Sequence, residues 1–142
     1  MVDESVVRDR LGALRLNAYR LAGIVQAGRE RFIVEEDLFL KAERCLHLCI
    51  QAILDIGTHV LAAETLERPA GYEGVVPALG SARILTAELV ARLGGIAGLR
   101  NILVHDYLAV NHGLLFDDIV SGLPDLEDFA SSIEEFLSTG GR

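Results

Sequence analysis

Between Gly98 and Tyr107 an otherwise apolar stretch carries Arg100, Asn101, His105 and Tyr107 within eight positions. These residue types can cut a phosphodiester without a metal. A histidine near its ordinary pKa serves as general base or acid at neutral pH. It can take the proton of a ribose 2′-hydroxyl, which then attacks the adjacent phosphate. An arginine stabilises the extra charge of the phosphorane-like transition state through paired N–H···O bonds. Asn101 can orient the histidine or a phosphate oxygen. The Tyr107 hydroxyl can bond a phosphate or accept a nucleotidyl group.

Spacing constrains how these groups act together. At about 100° per residue, Asn101 and His105 share one helix face, and Arg100 and Tyr107 nearly share another. Arg100 and His105 stand about 140° apart on a straight helix. Either long side chains wrap round, or two copies meet across a two-fold axis and pool their groups in one cleft. A plainer reading stays open: Arg100 pairs with Asp106 or an acid on another helix, and His105 is a hydrogen-bonded core histidine.

The elements that must position these residues read as helices throughout. A first helix is expected from about Asp3 to Ala27, with Val7, Leu11, Leu14, Ala18, Leu21 and Val25 on one stripe and Gly28 as its stop. A second runs from about Glu36 to Glu67. Its stripe of Leu38, Ala42, Cys45, Cys49, Ala52 and Ile56 lies beside a second stripe of Leu46, Ile50, Ile53 and Val60, an apolar arc wide enough for the centre of a bundle. Glu35, Glu36 and Asp37 suit its N-terminus. A third helix is expected from Val76 to Leu93, broken at Gly94-Gly95, and a fourth from Ile96 to about Ala109. Asn111 caps a short fifth that Gly122 ends, and Pro124-Asp125 opens the last, with Leu126, Phe129, Ile133 and Phe136 inward. Residues from about Ser138 are expected to fray. The sum is an all-α, antiparallel bundle of four to six helices in one domain spanning 1–142.

Composition narrows the partners. The chain has 142 residues, 51% of them apolar, enough for a core without disulfides. Its net charge of −8 argues against strong non-specific nucleic-acid binding. From Asp117 to Glu135 there are seven acids and no Lys or Arg, so RNA would have to use a local basic patch elsewhere. No apolar run reaches the roughly 18 to 20 residues that span a bilayer, and Met1-Val2-Asp3-Glu4 does not open a signal peptide. A soluble cytoplasmic protein with no membrane association is the expectation.

The other polar residues have plainer readings. Asp55 and His59 have the i, i+4 spacing of half a metal site, with no second pair to complete it; a hydrogen-bonded pair, or support for a dimer site, are the other readings. Cys45 and Cys49 lie on the apolar stripe as small core residues. His47 lies off the apolar stripes and is expected to be solvated. His112 is given no role.

The order Arg100-x4-His105-x-Tyr107, preceded by an apolar helix and the Gly94-Gly95 break, resembles the signature of HEPN domains. More narrowly it resembles HepT toxins, which are paired with the minimal nucleotidyltransferase antitoxin MntA. The likeness extends to Ile53-Leu54-Asp55-Ile56-Gly57-Thr58-His59, which is similar to that family's second helix, and to Tyr72 and Leu79 in its loop and third helix. The resemblance implies a two-fold homodimeric helical bundle with a composite site at the interface and metal-independent ribonuclease activity, possible on tRNA, needing no cofactor. It implies Arg100 and His105 as the catalytic pair, Asn101 as their polar neighbour, and Tyr107 as the residue to which the antitoxin transfers AMP. A non-catalytic module that binds nucleotide or docks the nucleotidyltransferase is the alternative.

Overall fold

The fold is that of a computed structural model, which describes residues 2–64 and 68–140, except the side chain of Tyr107. All described secondary structure is helical. Three long helices carry the core: α1 (Glu4–Val25), α3 (Glu36–Ala63) and α7 (His112–Ser138). Four shorter helices complete the bundle: α2 (Arg29–Val34), α4 (Val75–Ser81), α5 (Ala87–Arg92) and α6 (Ile96–His105). Single 3-10 turns at Tyr72–Gly74 and Tyr107–Ala109 precede α4 and follow α6.

Specific contacts fix the directions. Asp3 near the start of α1 meets His59 near the end of α3, and the Cys49 thiol reaches the Leu14 carbonyl midway. Arg8 and Arg15 of α1 reach Glu134 and Glu127 of α7, in reverse order along the two helices. Helix α1 therefore runs antiparallel to both α3 and α7. Val7, Leu11, Leu14, Leu21 and Ile24 are its buried apolar residues. The expected stripe drifts: Ala18 and Val25 are half-buried, while Asn17 is buried with its amide donating to the Ala13 carbonyl at 2.9 Å.

Helix α3 is the central element, touching α1, α2, α4, α6 and α7. By length and composition alone it is long and apolar enough to cross a membrane, which the expectation from apolar runs missed. Its wide apolar arc is instead covered: Ala42, Cys49, Ile53, Leu54, Val60 and Leu61 are buried in the bundle. Gly57 lets α4 approach, since a Cβ there would run into the Val75 Cγ1 and lie 3.0 Å from Leu79 Cδ1. The helix ends at Ala63; the expected continuation to Glu67 enters residues outside those described.

Three expected boundaries differ. The span Val76 to Leu93 is two helices, separated where Arg83 takes a positive φ of 61° and the Thr86 hydroxyl accepts from the Leu89 N–H at 3.2 Å to cap α5. Helix α2 begins after Gly28, whose φ of 93° suits glycine, so this residue is a junction rather than a plain stop. Helix α7 runs through Gly122 and Pro124, where two helices were expected. Asn111 does cap it, accepting from the Leu114 N–H at 3.0 Å. Pro124 denies the Val120 carbonyl its helical donor. The continuous buried stripe Leu115, Ile119, Leu126, Phe129, Ile133 and Phe136 outweighs that loss. Ser138 still belongs to the helix, and residues 141–142 lie outside those described.

Candidate functional site

Helix α6 is apolar in sequence yet only Ala97 on it is buried. It lies against α3 and against the turn that opens with Tyr72. Its opposite side stays open: Ile102 is 41% exposed, and Leu108 just beyond the helix is 86% exposed.

Arg100 points back toward α3. Its Nε donates to Gln51 Oε1 at 3.1 Å, its Nη1 donates to Asn101 Oδ1 at 3.3 Å, and its guanidinium sits over the Tyr72 ring, 5.1 Å from the centroid. Gln51 is itself oriented, because its amide donates to Asp55 Oδ1 at 2.9 Å and to the Tyr72 hydroxyl at 3.2 Å. Arg100 is thus clamped by two neutral polar groups and an aromatic face. Among the described residues no carboxylate lies within ion-pair distance of it, Asp106 included. A guanidinium has five N–H donors. Two are engaged here, leaving the outer edge able to receive a phosphate.

His105 ends α6 and is exposed, which rules out the core-histidine reading. Its imidazole has no hydrogen-bond partner among the described residues. Five positions after Arg100, its Cα lies about 7.5 Å along the axis and about 140° round it. The helix stops there because Asp106 leaves helical geometry, at φ −136° and ψ 44°. The chain resumes as a 3-10 turn at Tyr107. The expected helix to Ala109, and with it the shared face of Arg100 and Tyr107, is corrected accordingly. The backbone of Tyr107 follows the helix end, and its side chain lies outside the described residues.

The neighbours that seat Arg100 come from elsewhere in sequence. His47, Gln51, Asp55 and His59 repeat every four residues and form one half-buried polar stripe along α3. His47 was expected to be solvated. Instead its Nδ1 lies 3.1 Å from Arg44 Nη1. Since arginine only donates, Nδ1 is the acceptor and the imidazole is neutral there. Burial, then Arg44, then Arg100 hold its pKa below the ordinary histidine value. Asp55 and His59 do not form a metal half-site: Asp55 binds Gln51, and His59 Nε2 accepts the Asp3 N–H at 3.2 Å. Among the described residues no cluster of three potential ligands occurs. The four-residue period of this stripe was visible in the sequence. Its function was not, because the second helix reads mainly as core.

The remaining reactive residues are structural. Cys49 is buried and its thiol is pushed up to about 12 by burial, leaving it inert at neutral pH. His112 stacks on Phe39, ring centroids 3.7 Å apart, and faces Glu43 at 3.6 Å.

Comparison with known proteins bears on this arrangement. The family model described as ribonuclease HepT-like matches residues 15–133. The chain belongs to the HepT-like family. It is 33% identical over 70% of its length to the tRNA nuclease HepT of Aphanizomenon flos-aquae, covering 68% of that protein. It is 28% identical over 75% of its length to the mRNA nuclease HepT of Shewanella oneidensis, covering 77% of that protein. The HepT-like chain also superposes on the solved structure of the tri-AMPylated Shewanella oneidensis HEPN toxin in complex with MNT antitoxin. The TM-score is 0.85, with 24% identity, 95% of this chain and 99% of that chain covered. At that identity the superposition establishes a shared fold.

Proposed function

We propose that this HepT-like chain is the toxin of a toxin–antitoxin pair, a metal-independent cytoplasmic ribonuclease that works as a two-fold homodimer. The observation that carries this reading is the seating of Arg100: an arginine fixed by neutral partners, with no carboxylate within 4 Å among the described residues, on the helix that ends in an exposed histidine. His105 accepts the proton of a ribose 2′-hydroxyl. The 2′-oxygen bonds to phosphorus, the bond to the 5′-oxygen breaks, and that oxygen takes up a proton. Arg100 holds the non-bridging oxygens as charge develops. Asn101 accepts from one guanidinium N–H and helps fix Arg100 with its outer edge free. The 140° offset between Arg100 and His105 supports a composite site from two copies of α6. The exposed Ile102 and Leu108 beside the motif suit such a contact.

Tyr107 accepts AMP from an MntA-like nucleotidyltransferase, which silences the toxin. The Shewanella complex of tri-AMPylated toxin with antitoxin supports this reading. The named relatives act on mRNA and tRNA, so RNA is the substrate class.

The test is cleavage of total cellular RNA by purified protein. His105→Ala is expected to reduce the rate at least ~100-fold without changing the thermal unfolding midpoint. Equal cleavage by His105→Ala, or none by the unsubstituted chain alongside a stable complex with the nucleotidyltransferase, would replace this reading by a non-catalytic docking module. Intact mass after incubation with the nucleotidyltransferase and ATP reads out Tyr107.

A further inference from the structure

The acids of this chain are not evenly spent. Arg8, Arg15, Arg29 and Arg92 pair with carboxylates of α1 and α7, and Arg31 pairs with Glu35. Among the described residues Arg68 and Arg83 have no carboxylate within 4 Å, and neither do Arg20, Lys41, Arg44 and Arg100, although acids outnumber bases 21 to 13.

The last four are neighbours. Arg20, Lys41 and Arg44 all act electrostatically on the Cys45 thiol, and Arg44 and Arg100 both act on His47. Arg44 and His47 are in direct hydrogen-bond contact, and Arg100 is bonded to Gln51 one turn further on. Arg20, Lys41 and Arg44 are exposed. Between Asp37 and Asp55 the only acid on α3 is Glu43, and it faces His112 instead. The result is a cationic track about 15 Å long, from Lys41 to Gln51 at the helical rise, ending on the motif arginine. Unpaired like charges crowded on an acidic protein are unfavourable in the free chain and favourable once a polyanion lies across them.

We propose that this track of Arg20, Lys41 and Arg44 binds the phosphate backbone of the RNA substrate and leads it to Arg100. The inference rests on the ribonuclease reading. RNA is favoured over an acidic protein because the track is continuous with the arginine that would hold the scissile phosphate.

The experiment measures binding of single-stranded RNA to the His105→Ala protein, which leaves RNA uncut, across a salt series. The pair Lys41→Glu with Arg44→Glu is expected to weaken binding at least ~10-fold and to flatten the slope of log affinity against log salt by about 0.7 per lost contact. In the cleaving background, the same pair raises KM more than it lowers kcat. Arg83→Glu, an equal charge change on a cation remote in sequence from the track, leaves both as they were. The milder pair Lys41→Gln with Arg44→Gln gives a smaller effect in the same direction, and circular dichroism confirms the fold. Binding by the reversed pair equal to that of Arg83→Glu overturns the inference while the ribonuclease reading stands. So does loss of nucleotidyltransferase binding with RNA affinity intact. A wild-type chain that neither binds nor cuts RNA removes both.

Discussion

Helices α3 and α7 are near equals, 28 and 27 residues long, both with a continuous apolar stripe in the core. They differ in what their polar faces do. On α7 five of the seven acids are taken up structurally: Glu127 and Glu134 by Arg15, Asp117 by Arg29, Asp125 and Asp128 by Arg92. On α3 the one acid of the polar stripe, Asp55, is taken up by Gln51 and Arg10, and the stripe holds Arg100 through the neutral Gln51, leaving the guanidinium without a carboxylate partner. Charge that is paired fastens helices together; charge that is kept unpaired in a neutral seat stays available to a ligand. The lesson is that the protein's net charge says little about its site, because the acids and the free cations occupy different faces.

That contrast can be broken most forcefully in the core. Phe129 on α7 is fully buried. Phe129→Ala is expected to cost about 3–5 kcal/mol, measured by denaturant unfolding, and to lower activity only through the folded fraction. A loss of turnover per folded molecule would show that α7 contributes to chemistry as well as to stability.

The α3 face should respond in the opposite way. Gln51→Leu removes the acceptor that fixes Arg100 Nε and the donor that reaches Tyr72. Cleavage is expected to fall by about tenfold, ~1.4 kcal/mol of transition-state stabilisation, with the unfolding midpoint shifted by less than a comparable core change. The decrease should lie mainly in kcat, since the guanidinium is still present but less well aimed. A purely structural Gln51 would instead lower stability and leave kcat per folded molecule intact.

The smallest effect is expected at an ion pair of α7. Arg15 is more than a third exposed and bridges Glu127 and Glu134. Screening limits such a pair, so Arg15→Ala should cost at most about 1 kcal/mol, less at high salt, with no change in RNA cleavage. A larger, salt-insensitive loss would mean that the acidic face is integral to the fold rather than a solvated fastening.

Local signals made much of this legible in advance. The long helices follow from apolar residues at three- and four-residue steps, and Asn111 announces a cap. The motif residues stand out as polar groups in an apolar helix. Where the reading failed, a local signal lost to a distant one. Gly122 and Pro124 mark an end, but buried residues on either side hold α7 straight through. No glycine or proline marks the end of α6 at His105, so the sequence offered nothing to place Tyr107 off the helix.

By itself the sequence determined the helical class and singled out Arg100, Asn101, His105 and Tyr107 as candidate chemical residues, because period and residue type are local properties. Only the tertiary structure decided what surrounds Arg100. Gln51 lies 49 positions from it and Tyr72 lies 28, and no periodicity relates them. They meet because burying the wide apolar arc of α3 turns its one polar stripe toward α6, and the close approach at Gly57 brings the Tyr72 turn alongside.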